Sequence, residues 1–224
     1  RSKGITTARA LWGYNRFDVT RAVWKMVAVP GLTFGNGVLC LSSRTRECLE
    51  VRQREVGRAA LGASRGSPNE AVQGDMGFSS LEAREARAKL GFERRLCQMQ
   101  EGRWARQAFK YIHLKCLWTR WVRRTRQLAH RYNTSGPLLY PVPEQQMENV
   151  HTRVNETETQ RWAEKAGQKP ALALYTREKR EVRKVEFMDN GRGSGLLFDA
   201  RGGMLRTRGL RTKYTDTDVR CTLC

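Results

Sequence analysis

The chain has 224 residues, with 42 Lys+Arg against 22 Asp+Glu and a formal net charge of +20. An excess of that size attracts polyanions at long range, while 39% hydrophobic residues and six Trp exclude a generically disordered chain. No apolar run approaches the roughly 18–20 residues that span a bilayer, and no signal peptide opens the sequence, so a membrane partner is not expected.

Residues 1–40 mix aromatic and small apolar side chains, among them Trp12, Tyr14, Phe17 and Trp24. Pro30-Gly31 predicts a break, and Gly35-Asn36-Gly37 a second turn. From Leu41 a helical period runs through Thr45, Cys48, Leu49, Val56, Ala59 and Ala60 to a stop at Gly62. Ser67-Pro-Asn-Glu70 predicts a capping box opening a short helix limited by Gly74 and Gly77. Ser79-Ser-Leu-Glu82 predicts another, opening a helix with Leu81, Ala88, Phe92 and Leu96 on one face. Together these elements predict a small helical bundle.

Residues 102–143 contain no acidic side chain. The period predicts one long helix over about 103–131, with Trp104, Ala108, Tyr111, Ile112, Trp118, Val122 and Ala129 inward. Its polar surface carries Arg103, Arg106, Lys110, Lys115, Arg120, Arg123, Arg124, Arg126 and Arg131. A solvated helix face ordinarily mixes signs, because Glu–Lys pairs stabilise helices. Nine cations without an anion repel one another and point to contact with phosphate, with a plain solvated face as the alternative.

Residues 133–143 read as a linker, holding Pro137, Pro141, Pro143 and Gly136. A helix is predicted from about Glu144 to Ala166, with Met147, Val150, Val154 and Trp162 inward, ended by Gly167 and Pro170. Beyond it the chain is basic again (Arg177, Lys179, Arg180, Arg183, Lys184), and a Gly-rich turn precedes a short segment over 196–206. The expected class is mainly α, with a short strand near 27–34 or 182–188.

Catalytic motifs are weak. Asp189-Asn-Gly-Arg-Gly193 matches an Asp-x-Gly-x-Gly nucleotide box, but the companion Glu/Asn helix for Mg²⁺ is not visible, and a flexible turn is the simpler reading. His113, His130 and His151 lack nucleophile or carboxylate companions, and no Asp-Asp pair offers a seat for two-metal chemistry. Cys40, Cys48, Cys97 and Cys116 show no ligand spacing, whereas Cys221-Thr-Leu-Cys224 supplies half of a tetrahedral zinc site. That pair ends the sequence, so the chain is expected to be a fragment with a severed zinc site. Cysteine usage favours a reduced, intracellular setting.

The order of several segments resembles the region after the catalytic palm in reverse transcriptases of non-LTR retrotransposons, most closely tick transposon proteins. The resemblance rests on Trp24-Lys-Met-Val-Ala-Val-Pro-Gly-Leu-Thr-Phe34, Val38-Leu-Cys-Leu41, Arg52-Gln-Arg-Glu-Val-Gly-Arg-Ala-Ala-Leu-Gly62, Glu70-Ala-Val-Gln-Gly-Asp-Met-Gly77 and Ser80-Leu-Glu-Ala-Arg84, then Gly195-Leu-Leu-Phe-Asp-Ala-Arg201 up to Cys221-x-x-Cys224. It implies that residues 1–37 end a palm or connection, 38–132 form a thumb-like helical bundle with its basic helix, 133–143 link, 144–220 are a basic helical extension, and 221–224 begin a truncated zinc knuckle. It further implies RNA and DNA (a template–primer duplex) as partners, docking to a missing palm in the same polypeptide, and a nuclear setting. Zinc would be held in the parent by Cys221 and Cys224 with a further His and Cys; Mg²⁺ would belong to the missing palm. The aromatic-x-Asp-Asp polymerase signature is absent, so the implied role is non-catalytic nucleic-acid binding. Because the palm is missing, Trp24 and Phe34 are expected to be exposed. The alternative is a helical protein-interaction or scaffold fragment.

Overall fold

The computed structural model describes residues 16–134 and 149–205. Its class is mainly α, and among the described residues no strand forms and no helix is long and apolar enough to cross a membrane. The helices are α1 (Arg16–Val23), α2 (Val29–Thr33), α3 (Ser43–Leu61), α4 (Asn69–Met76), α5 (Leu81–Gln98), α6 (Trp104–Leu114), α7 (Arg120–Arg131), α8 (Val150–Gly167), α9 (Ala173–Glu178) and α10 (Arg192–Arg201). A π-helical segment, Trp24–Ala28, follows α1, and a 3₁₀ turn, Pro170–Leu172, precedes α9.

The described residues fall into two compact units that interleave along the sequence. One is drawn from Arg1–Met26, Arg52–Phe78 and Trp162–Cys224; the other from Val27–Val51 and Ser79–Arg161. Because the units interleave, α3 and α8 each contribute residues to both.

In the first unit, α3 and α4 meet at Gly57, where a Cβ would lie 2.7 Å from Val72 Cγ1. Trp24 is buried rather than exposed: its ring packs 6.3 Å from Phe78, and its Nε1 donates to Gln53 Oε1 at 3.2 Å. Asp75, fully buried on α4, organises the later segments. It accepts from Tyr175 Oη at 2.8 Å and from Arg201 Nη1 at 3.2 Å, while its backbone carbonyl accepts from Val185 N at 3.1 Å. The Arg201 guanidinium also lies 5.1 and 5.2 Å from the ring centroids of Tyr175 and Phe187. Trp162 adds a hydrogen bond from Nε1 to the Glu70 carbonyl at 2.9 Å.

The second unit is built on α5. Ala83, Ala86 and Leu90 pack with Leu128, Ala129 and Tyr132 at the end of α7, and with Val150 and Val154 of α8. Further along α5, Leu96 and Cys97 join Phe109 of α6, with Phe92, Met99 and Trp121 packed against them. The loop before α3 is tied to this bundle: Lys89, fully buried, donates from Nζ to the carbonyls of Asn36 (2.9 Å) and Leu39 (2.5 Å). Trp121 Nε1 donates to the Gly37 carbonyl at 2.8 Å.

Several sequence expectations change in detail. The segment 27–34 is helical, not extended, because Pro30 sits in the first turn of α2, where a missing N–H is tolerated. Residues 182–188 form no strand. The box at Ser67 does not form: α4 begins at Asn69 without a side-chain cap, and the Glu70 carboxylate pairs with Lys169 instead. The cap of α5 is Ser80 rather than Ser79, its Oγ accepting from Ala83 N at 3.0 Å. Glu158 takes the role expected of Glu82, accepting from the N-cap Ser80 N, while Glu50 accepts from Leu81 N at 2.6 Å. Val150, Val154 and Trp162 of α8 are buried as expected; Met147 lies outside the described residues.

Candidate nucleic-acid interface

The predicted long basic helix is two helices. Cys116 adopts φ 50°, in the left-handed region, and ends the run that begins at Trp104. Thr119 then starts α7, its Oγ1 accepting from Val122 N at 3.2 Å. Thr119 is thus the sequence signal for the break.

The break matters because α6 is turned opposite to the expected sense. Trp104, Ala108, Tyr111 and Lys115, at i, i+4, i+7 and i+11, share one face, and all four are exposed. Trp104 is 86% and Tyr111 58% exposed, whereas Phe109 and Arg106 are buried. Arg106 reaches this position because its guanidinium donates from Nη1 to the Leu96 carbonyl at 3.2 Å and lies near the Phe109 ring, while its stem packs as apolar surface. On α7 the inward face is Val122, Arg124, Thr125, Leu128 and Ala129, leaving Arg120, Arg123, Gln127 and His130 outside.

The acid-free stretch is not free of anions in three dimensions. Arg124 Nε donates to both carboxylate oxygens of Glu85 at 3.1 and 3.2 Å, and its Nη2 to Glu85 Oε2 at 2.7 Å and Glu82 Oε1 at 3.0 Å. Arg131 also pairs with Glu82, and Lys110 with Glu101. Burial opposes charge on Arg124, but the Glu85 and Glu82 carboxylates outweigh it and hold the guanidinium above its usual pKa. Burial would likewise raise Glu82, yet hydrogen bonds from Arg131 and Arg124 hold its carboxyl below the usual range. The premise that these nine cations lack internal anions is therefore corrected: α5 places Glu82 and Glu85 three residues apart, one turn of a helix, facing α7.

Five of the nine remain exposed without an ion pair among the described residues: Arg103, Lys115, Arg120, Arg123 and Arg126. The Arg126 guanidinium lies 4.7 Å from the centroid of the Trp118 ring, and Trp118 stays 61% exposed. What survives is a smaller surface than the sequence suggested, but one richer in accessible aromatic rings, with Trp104, Tyr111 and Trp118 among its cations.

Other candidate chemistry does not assemble. Among the described residues no three His, Cys, Asp or Glu side chains group closely enough to hold a metal ion, and Cys221 and Cys224 lie outside the described residues. At Asp189–Gly193 the aspartate accepts from Gly191 N at 2.7 Å, and Asn190 adopts φ 64° while its Oδ1 accepts from Phe17 N at 3.2 Å. The side chains of this segment shape the turn that leads into α10, whose N-cap Gly191 has no side-chain cap, and hold Phe17 N near the start of α1. Comparison with family models, curated proteins and solved structures found no match to this chain.

Proposed function

We propose that this chain binds nucleic acid without catalysing a reaction, as the thumb-like, C-terminal part of an RNA-directed DNA polymerase of the non-LTR retrotransposon kind. Arg103, Lys115, Arg120 and Arg123 contact phosphates, and Trp104, Tyr111 and Trp118 stack on unpaired bases of the template–primer. The observation that carries the reading is the outward face of α6 and α7, where exposed aromatic rings alternate with cations that no described acid neutralises. Zinc at Cys221 and Cys224 and a nuclear setting belong to the same reading of the longer polypeptide. Fluorescence anisotropy with a labelled RNA–DNA hybrid tests it: affinity falls steeply with salt, and a flat dependence refutes the reading.

A second reading rests on a separate patch. Leu32, Phe34, Val38 and Leu39 are exposed, Phe34 at 84%, which suits a protein partner such as the polymerase palm. If this is the whole function, charge reversal at Arg120 and Arg123 leaves nucleic-acid affinity unchanged and Phe34→Ser abolishes a protein complex.

A further inference from the structure

Where α6 ends and α7 begins, the chain encloses an open cavity of about 80 Å³, lined by Ile112, His113, Leu117, Trp118, Val122 and Arg126. The lining is built, not incidental. His113 is locked to the Phe109 carbonyl through Nδ1 at 2.9 Å, and its ring lies 4.3 Å from that of Phe109. Val122 is buried, and Leu117 and Trp118 are 41% and 61% exposed at the mouth, so the cavity has an apolar floor and an aromatic rim. Arg126 spans the mouth on one side with its guanidinium against the indole.

Resting on the nucleic-acid reading above, we propose that this cavity is a slot for one unpaired nucleobase, making the interface selective for single-stranded over fully paired nucleic acid. The base stacks against Trp118, its edge meets the Arg126 guanidinium, and the flanking phosphates lie against Lys115, Arg120 and Arg123. Charge complementarity selects a nucleotide over an apolar peptide side chain, since Lys115, Arg120 and Arg123, which flank the lining residues along the chain, are exposed and carry no ion pair among the described residues. An apolar guest would fill the floor and leave the cations unused. A paired base cannot enter, because its rings are already stacked within the duplex and its edge is already engaged.

The test uses the full chain with three labelled probes: a short oligo-dT, the same backbone carrying abasic sites, and a duplex of equal length. The wild type is expected to bind oligo-dT more tightly than either other probe. Trp118→Ala is expected to weaken oligo-dT by about tenfold and leave the abasic strand unchanged, while Trp118→Phe keeps most of the affinity. Because Trp118 is exposed, circular dichroism should show both variants folded. Equal binding of oligo-dT and the abasic strand by the wild type overturns the slot while leaving phosphate binding intact. So does a Trp118→Ala variant with undiminished preference for bases. Tighter binding of an acidic peptide of matching charge overturns it in favour of a protein partner. Failure of every nucleic acid to bind below about 50 mM salt defeats the underlying reading itself.

Discussion

Arg124 and Glu85 form a buried ion pair joined by three hydrogen bonds, with side-chain exposures of 7% and 4% and a closest contact of 2.7 Å. Arg123, one residue earlier, points to solvent and carries no ion pair among the described residues. The two neighbours therefore have opposite roles, and substitution separates them. Arg124→Met leaves Glu85 buried with Lys89, 3.9 Å away, as its remaining ion-pair partner among the described residues, and should destabilise the chain by about 3–5 kcal/mol. The double variant Arg124→Met/Glu85→Met should recover most of that loss, and Arg123→Ala should stay within about 0.5 kcal/mol of wild type. Urea denaturation of the four proteins checks all three expectations.

This pair also shows how far the sequence was legible. Helical class, the bounds of α3 and the inward positions Val150, Val154 and Trp162 follow from periodicity and from Gly and Pro punctuation. The orientation of α6 does not. Both of its faces carry aromatic residues, and the choice falls to long-range partners: the Leu96 carbonyl receives Arg106, and Phe92 and Trp121 receive Phe109. An acid-free window suggested unneutralised charge because a one-dimensional scan cannot see that α5 aims Glu82 and Glu85 at it. Thr119, by contrast, was a readable cap, obscured by the apolar period running through it.

Glu93 is buried on α5, and burial lifts its carboxyl to about 7 against the opposing pull of Arg126 and Arg94. An unfolded glutamate loses its proton near 4.5. Between those values the folded chain holds a proton that the unfolded chain has released, so stability falls as pH rises through the window. Glu93→Gln removes this contribution. The variant should match the wild type near pH 4 and exceed it by about 1–3 kcal/mol at pH 8. Asp75 and Glu158, also raised by burial, are present in both proteins and cancel in the difference. A constant gap across the pH range would show that Glu93 does not titrate in this way.

Two helical glycines should respond to alanine in opposite directions. At Gly74 a Cβ would collide with Tyr175 Oη and come within 2.8 Å of Trp162 Cζ2, both in the packed first unit. At Gly91 nothing lies within 4 Å. Alanine improves helix propensity by about 1 kcal/mol at either site, whereas overpacking costs about 1–3 kcal/mol. Gly91→Ala should therefore raise the melting temperature and Gly74→Ala lower it. A rise in both would mean that the Tyr175–Trp162 packing yields more easily than its closeness implies.

The exposed cations make the binding reading quantitative. On single strands each neutralised phosphate contributes about 0.7 to the slope of log affinity against log salt. If Arg103, Lys115, Arg120 and Arg123 each meet one phosphate, replacing all four with Gln should flatten the slope by about 3. The variant should keep its fold, since none of the four is buried or ion-paired among the described residues. Replacing Lys110, which pairs with Glu101, should change the slope much less. The comparison separates a specific face from bulk attraction: the whole chain carries a net charge of +20, and removing any four exposed cations would weaken a diffuse attraction similarly. A matched quadruple variant at Arg44, Arg65, Arg177 and Arg180, exposed cations lying outside α6 and α7, supplies that control. Equal flattening by both sets would place the binding in the overall field of the chain and remove the case for α6 and α7 as its seat.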